Sequence, residues 1–191
     1  MIKLKTRRLF LVFSKLDLNM KSVIIFVLFL NISLSLFAQD TLDNNCICCT
    51  KEHTQFDFWV GEWSVYDTLN NFVGTNNVIK DYDNCLIQEN WKSTGKNRGT
   101  SYNYFDPSDS TWNQLWIDNQ GTILNLKGLF INGAMILKSK LQKGKKVALY
   151  YNRITWSKLE NGNVVQTLDI LDENDQLLAN LFIGIYNSNM N

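Results

Sequence analysis

Two charged side chains of this chain are set among aromatic and aliphatic ones: Glu89 in Ile87-Gln88-Glu89-Asn90-Trp91, and Arg153 in Tyr151-Asn152-Arg153-Ile154-Thr155-Trp156. A carboxylate and a guanidinium in such surroundings are either held inside and paired, or aimed at the polar end of a ligand. Trp112, Gln114, Trp116 and Asp118 add two indoles, an amide and a second carboxylate at every other position. In an acid–base reading, Glu89 or Asp118 would move the proton and Arg153 would stabilise developing charge. The other ingredients of catalysis are thin. His53 is the sole histidine, and no glycine-flanked serine elbow accompanies it. No glycine loop could cradle a phosphate. The carboxylates Asp57, Glu62, Glu89, Asp106 and Asp118 show no spacing that argues for glycosidase chemistry. We therefore assign no catalytic residue and keep the enzyme as an alternative. His53, alone at a strand start, reads as a surface residue.

The four cysteines, at 46, 48, 49 and 85, depend on compartment for their meaning. Val23 to Phe37 is an apolar run preceded by Lys3, Lys5, Arg7, Arg8, Lys15 and Lys21, and followed by the small residue Ala38. That order is an export signal, read as residues 1–38 with Met20 as a possible true start. Fifteen residues with two serines and an asparagine are short of the about 20 that a bilayer span needs. No stable membrane span is expected after cleavage. In an exported chain the cysteines read as disulfide material. Cys85 has only the 46–49 cluster to pair with, and Cys49–Cys85 is the expected bridge, on nearness to the first strand. A thiolate–imidazole metal site from Cys-Ile-Cys-Cys and His53 matches no standard module, and no metal ligand is assigned.

Cleavage would leave 13 of 19 basic and 17 of 18 acidic residues, a net charge of 13 − 17 = −4. That balance argues against a nucleic-acid partner. The remainder divides into a cysteine-containing lead-in, residues 39–54, and one domain, residues 55–191, long enough for its own core.

Holding those side chains requires strands. The runs are 56–67, 73–81, 86–93, 100–105, 112–119, 122–130, 134–141, 147–159, 164–171 and 177–186, with turn residues between them. Asn132-Gly133 and Asn161-Gly162 are hairpin signals, since both residues of each pair tolerate the positive φ of a type I′ turn. No stretch keeps a helical period, and the single proline, Pro107, falls in a turn. Hairpin after hairpin predicts an all-β, up-and-down antiparallel barrel of about ten strands. Alternation puts Trp112, Gln114, Trp116 and Asp118 on one face; Ile87, Glu89 and Trp91 on another; and Leu149, Tyr151, Arg153 and Thr155 on a third.

His53-Thr54-Gln55-Phe56-Asp57-Phe58-Trp59-Val60-Gly61-Glu62-Trp63 resembles the start of a secreted bacterial family of uncharacterised activity. Gly99-Thr100-Ser101-Tyr102, Trp112-Asn113-Gln114-Leu115-Trp116 and Arg153-Ile154-Thr155-Trp156 continue the likeness. Gly61-Glu62-Trp63 matches the glycine-any-tryptophan signature that closes one end of lipocalin-type barrels. The resemblance implies a lipocalin or fatty-acid-binding architecture enclosing a small lipophilic molecule. Trp91, Trp112, Trp116 and Tyr151 would then supply apolar contact, with Arg153, Gln114 and Glu89 orienting a polar head. A similar barrel of the nitrobindin type takes its haem through a histidine near the C-terminus, which this chain lacks. No cofactor is expected, and the protein is expected to be a monomer. A third alternative is an envelope interaction module with a solid interior, marked by an exposed apolar patch.

Overall fold

A computed structural model describes residues 46–144 and 149–188. The expected export signal, the possible start at Met20 and the first part of the lead-in lie outside the described residues, as does the expected strand start at Val147. The strands are β1 (Gly61–Tyr66), β2 (Phe72–Asp81), β3 (Leu86–Ser93), β4 (Arg98–Asp106), β5 (Thr111–Asp118) and β6 (Ile123–Ile131). They continue as β7 (Ala134–Ser139), the two-residue β8 (Gln142–Lys143), β9 (Leu149–Lys158), β10 (Val164–Leu171) and β11 (Leu177–Ser188). Neighbours pair antiparallel in chain order, with β7 joined to β9 and β8 lying on the outer part of β9. β11 returns to β1, with Val65 opposite Tyr186, and closes ten strands into a barrel without an edge. The fold is the all-β up-and-down barrel that the hairpin pattern predicts.

The first aromatic stretch departs from its expected form. Asp57–Trp59 is a turn of 3-10 helix, and the strand begins only at Gly61. A strand would send Phe56 and Trp59 to opposite faces. The three-residue period of a 3-10 turn instead puts them on one side, where their rings stack at 4.9 Å and meet Trp156 at 5.1 Å each. These rings, with Trp112 edge-on to Phe56, plug one end of the barrel, here called the base. Truncating one such buried aromatic typically costs about 3–5 kcal/mol. Trp63 completes the plug, donating its indole N–H to the Trp59 carbonyl at 2.9 Å. Gly61 sits at φ +149°, a backbone state that side chains oppose.

The turns at the opposite end, the mouth, repeat one device. Asp67, Asp118 and Asp172 each end a strand and accept two amide N–H groups of the following turn on one carboxylate oxygen. Each turn places its fourth residue (Asn70, Gly121 and Asp175) in the left-handed region, as a bulged hairpin requires. At the base, Asn132 and Gly133 both have positive φ, as a type I′ turn predicts. In the Asn161-Gly162 hairpin only Gly162 does. Gly162 N–H bonds to the Leu159 carbonyl and Leu159 N–H to the Asn163 carbonyl, a longer bulged loop than the expected two-residue turn.

The cysteines pair differently from expectation: Cys48 with Cys85 and Cys46 with Cys49, so Cys49–Cys85 is corrected. The Cys49 N–H bonds to the Cys46 carbonyl, forming a turn that brings those two Cα atoms to 5.4 Å. Cys48, in the middle of that turn, is buried against the barrel and meets Cys85 in the β2–β3 turn. Nearness along the chain was the wrong criterion; facing direction decides. With all four thiols oxidised, the metal-site alternative has no thiolate to offer.

Candidate functional site

Alternate side chains point into the barrel, and the inward series changes character along its axis. Near the base it is apolar: Val78, Ile87, Trp112, Met135, Trp156 and Val164 are all buried. At mid-height it turns polar, with Asn76 on β2, Glu89 on β3, Ser101 and Asn103 on β4, and Gln114 on β5. Above this layer lies a cavity of about 310 Å³. Its walls are Trp91, Trp116, Leu124, Leu168 and Phe182; Glu89, Gln114, Gln166 and Tyr186 reach it from below; and Asn97, Asp118 and Thr122 stand at the mouth. The volume is at the small end of ordinary ligand sites. A larger depression of about 530 Å³ over β5–β7 has one aromatic side chain, Tyr104, and three lysines. It has neither the aromatic wall nor Glu89, and shares only Gln114 with the cavity.

Two glycines make the aromatic wall possible. A Cβ on Gly74 would lie 2.7 Å from Trp91 Cη2, and one on Gly99 would lie 2.2 Å from Trp116 Cζ2. Each indole lies over a stretch of strand that only a missing side chain leaves free. A larger residue at Gly99 would drive the ring off the wall, and one at Gly74 would also press on the Lys92 carbonyl of β3, 2.4 Å from its Cβ.

The polar layer has one sense of direction, set by a backbone carbonyl. Asn103 Nδ2 donates to the Ile87 carbonyl at 3.1 Å, which leaves Asn103 Oδ1 as an acceptor. Gln114 Nε2 donates to that oxygen at 2.8 Å and to Ser101 Oγ at 3.3 Å. Asn103 Nδ2 also donates to Ser101 Oγ at 2.9 Å, so the serine hydrogen turns to Glu89 Oε2 at 2.7 Å. Asn76 Nδ2 donates to Glu89 Oε1 at 2.8 Å. Both side chains that reach the carboxylate, Ser101 and Asn76, bring a donor to Glu89. Two acceptors, Gln114 Oε1 and Asn76 Oδ1, are left with no partner.

Glu89 is 4% exposed, and none of the ion pairs among the described residues includes it. Burial pushes its pKa up to about 7, against the pull of the Ser101 and Asn76 hydrogen bonds, which favour the anion. Tyr186 bonds through its hydroxyl to Gln166 Oε1. Its pKa is raised well above the usual phenol value, by burial first and then by the Glu89 charge. A carboxyl poised between charged and neutral thus lies at the floor of an aromatic cavity. It can accept hydrogen bonds from a donor, or give one proton.

Of the residues expected from sequence, Glu89, Trp91, Gln114 and Trp116 converge on the cavity. Trp112 faces inward too, but lower, in the plug, where its indole N–H donates to Gln55 Oε1 at 3.1 Å. Tyr151 and Arg153 are a correction: they share a face, and it is the outer one. Asn152, Ile154 and Trp156 are the buried, inward residues of β9, so parity turns 151 and 153 outward. There Arg153 Nη2 meets Asp169 Oδ2 at 2.8 Å, and Lys138 Nζ lies 4.4 Å above the Tyr151 ring. Asp118 reaches the rim only. Burial works to raise its pKa, but hydrogen bonds from the Thr122 and Gln120 amides and from Asn97 outweigh this and hold it below the usual range. The set of Glu89 or Asp118 with Arg153 is therefore not assembled. His53 is buried rather than exposed, its Nδ1 2.9 Å from Thr50 Oγ1 and its ring edge-on to Phe105 at 5.2 Å, near the base.

Asn76, Ser101, Asn103, Phe182 and Tyr186 complete the site and were not singled out in the sequence. Their signal is register. Ser101 stands opposite Glu89, and Asn103 opposite Gln114, so two known hairpin lengths would have placed both. Compared with known proteins, the chain matches no family model and no curated protein.

Proposed function

We propose that this barrel binds a small hydrophobic or amphipathic molecule in its mouth-side cavity. The observation that carries the reading is the change along the axis. The base is filled by Phe56, Trp59, Trp112 and Trp156, while Trp91, Trp116, Leu124, Leu168 and Phe182 surround open space. A barrel with no ligand would gain stability by filling that half as well, because unfilled volume forfeits dispersion contacts. Export fits the same reading. Two disulfides persist in oxidising compartments, and among the described residues no helix is long and apolar enough to cross a membrane. The resemblance to lipocalin-type barrels at Gly61-Glu62-Trp63 supports it, with Trp63 buried in the plug.

The test is native mass spectrometry of residues 39–191, purified and saturated with a lipid extract. A one-to-one adduct that exchanges on dilution is expected. A spectrum with apo-protein alone at saturation overturns the reading.

A further inference from the structure

The chemistry at the cavity floor narrows what the ligand can be. Two carboxylates, Glu89 and Asp118, line the cavity, and among the described residues no lysine, arginine or histidine does. Asp118 is committed to the mouth turn, so Glu89 is the charge available to an occupant. The polar layer around it takes its direction from the Ile87 carbonyl and cannot reverse without breaking that bond. Two acceptors in that layer, Gln114 Oε1 and Asn76 Oδ1, have no donor, on side chains that are 3% and 1% exposed. A buried acceptor without a donor costs about 1–3 kcal/mol, so a ligand N–H that reaches Gln114 Oε1 is stabilised there. Trp91, Trp116, Phe182 and Tyr186 line the same space, and an aromatic ring attracts a cation that meets its face.

Three ligand heads can be compared on these facts. A carboxylate or phosphate would bring a second anion to Glu89 with no cation between them. A hydroxyl would offer one donor and leave the Glu89 charge unpaired. An ammonium group offers up to three donors and the missing charge.

We propose that the cavity takes a hydrophobic amine, bound as its ammonium ion with the N–H groups toward Glu89 and Gln114 and the hydrocarbon between Trp91 and Trp116. This rests on the reading that the cavity is a ligand site. The volume holds about ten non-hydrogen atoms, at about 30 Å³ for each water-sized group. An eight-carbon amine fits.

The experiment is calorimetric titration of the protein with three probes of one length: octylamine, 1-octanol and octanoate. Octylamine is expected to bind about tenfold or more tightly than 1-octanol, with octanoate weakest. In Glu89→Gln, which keeps the shape and an acceptor for Ser101, the amine preference should vanish while 1-octanol binding persists. The wild-type pH dependence provides a second readout. Between pH 5.5 and 8.5 octylamine stays protonated while Glu89 ionises, so its affinity should rise by about tenfold or more and that of 1-octanol should stay flat. Among the described residues, Tyr186 on β11 and Asp118 on β5 are the other titratable groups facing this space, and both keep one state across that range. His53, near the base, packs on Phe105 and does not line the cavity. Equal binding of amine and alcohol, or tighter octanoate, overturns the amine assignment and leaves the cavity reading standing. If none of the three binds, both fall.

Discussion

Ser101 donates its hydroxyl to Glu89 Oε2 across 2.7 Å, and that bond marks where the apolar plug gives way to an open half-barrel. The serine has no freedom in the matter, because Asn103 and Gln114 both donate to its oxygen. A carboxyl without a cation is thereby held at mid-height by neutral donors alone. The consequences are measurable.

Glu89 should make the barrel less stable as pH rises. Its folded pKa, about 7, lies above its ordinary value of 4.5, so the folded state holds its proton more tightly. Stability is then greatest below about pH 4.5 for this group, falls as pH rises through 7, and levels off above. The full span is on the order of 3 kcal/mol. Urea unfolding of Glu89→Gln against wild type should show the variant more stable at pH 8 by about 2–3 kcal/mol, with the gap closing toward pH 5. A gap that is constant or widens at low pH contradicts the assignment.

Gly99 should tolerate no side chain. A Cβ there would stand 2.2 Å from Trp116, whereas one at Gly95 meets its nearest atom at 3.6 Å. Gly99→Ala should lose about 1–3 kcal/mol of stability and shift the tryptophan emission. Gly95→Ala should do neither. Similar behaviour of the two variants would mean that Trp116 is not seated over Gly99.

Gly61→Ala should cost about 1–3 kcal/mol through strain at φ +149°, not through a clash. The nearest atoms to an added Cβ are those of Trp63, at 3.6 Å, an ordinary contact. Denaturant midpoints decide it, and a loss below about 0.5 kcal/mol would contradict the strain argument.

The disulfide pairing can be read from single variants. Cys85→Ala should free one thiol, found by alkylation and peptide sequencing at Cys48, and should lose about 4 kcal/mol on the chain-entropy account of a 37-residue separation. Cys49→Ala should free Cys46 and lose roughly half as much. A label on Cys49 in the Cys85→Ala protein would restore the pairing first expected from sequence.

Much of this was legible in the chain because hairpins are local. Turn residues such as Asn132-Gly133 and strand-length apolar alternation carry their own meaning, so a ten-strand meander follows without long-range information. Glu89, Trp91, Gln114 and Trp116 were found for the same reason: each lies on a strand whose parity is set by neighbouring tryptophans. Arg153 was misplaced because both faces of β9 carry aromatics, and only the burial of Ile154 and Trp156 says which one is inside. Cys48 was missed because a turn, not a distance along the chain, aims its side chain. Phe56 and Trp59 looked like strand residues because both are apolar, while their three-residue spacing, the better clue, belongs to a 3-10 turn. The polar layer was invisible for a different reason. Asn76, Ser101 and Asn103 are ordinary strand residues until register puts them around one carboxylate.

Uptake of a ligand into the space between Trp91 and Trp116 is the most direct test of the binding site. 8-Bromo-1-octanol is a neutral probe whose bromine quenches indole fluorescence on contact. Titrated into wild type, it should give saturable one-to-one quenching. A Leu124→Phe/Leu168→Phe variant, which fills the cavity, should weaken that binding about tenfold or more. Arg153→Ala, on the outer wall, should leave it unchanged. Quenching that never saturates in wild type, or saturates equally in the filled variant, would contradict the claim that this cavity is the binding site.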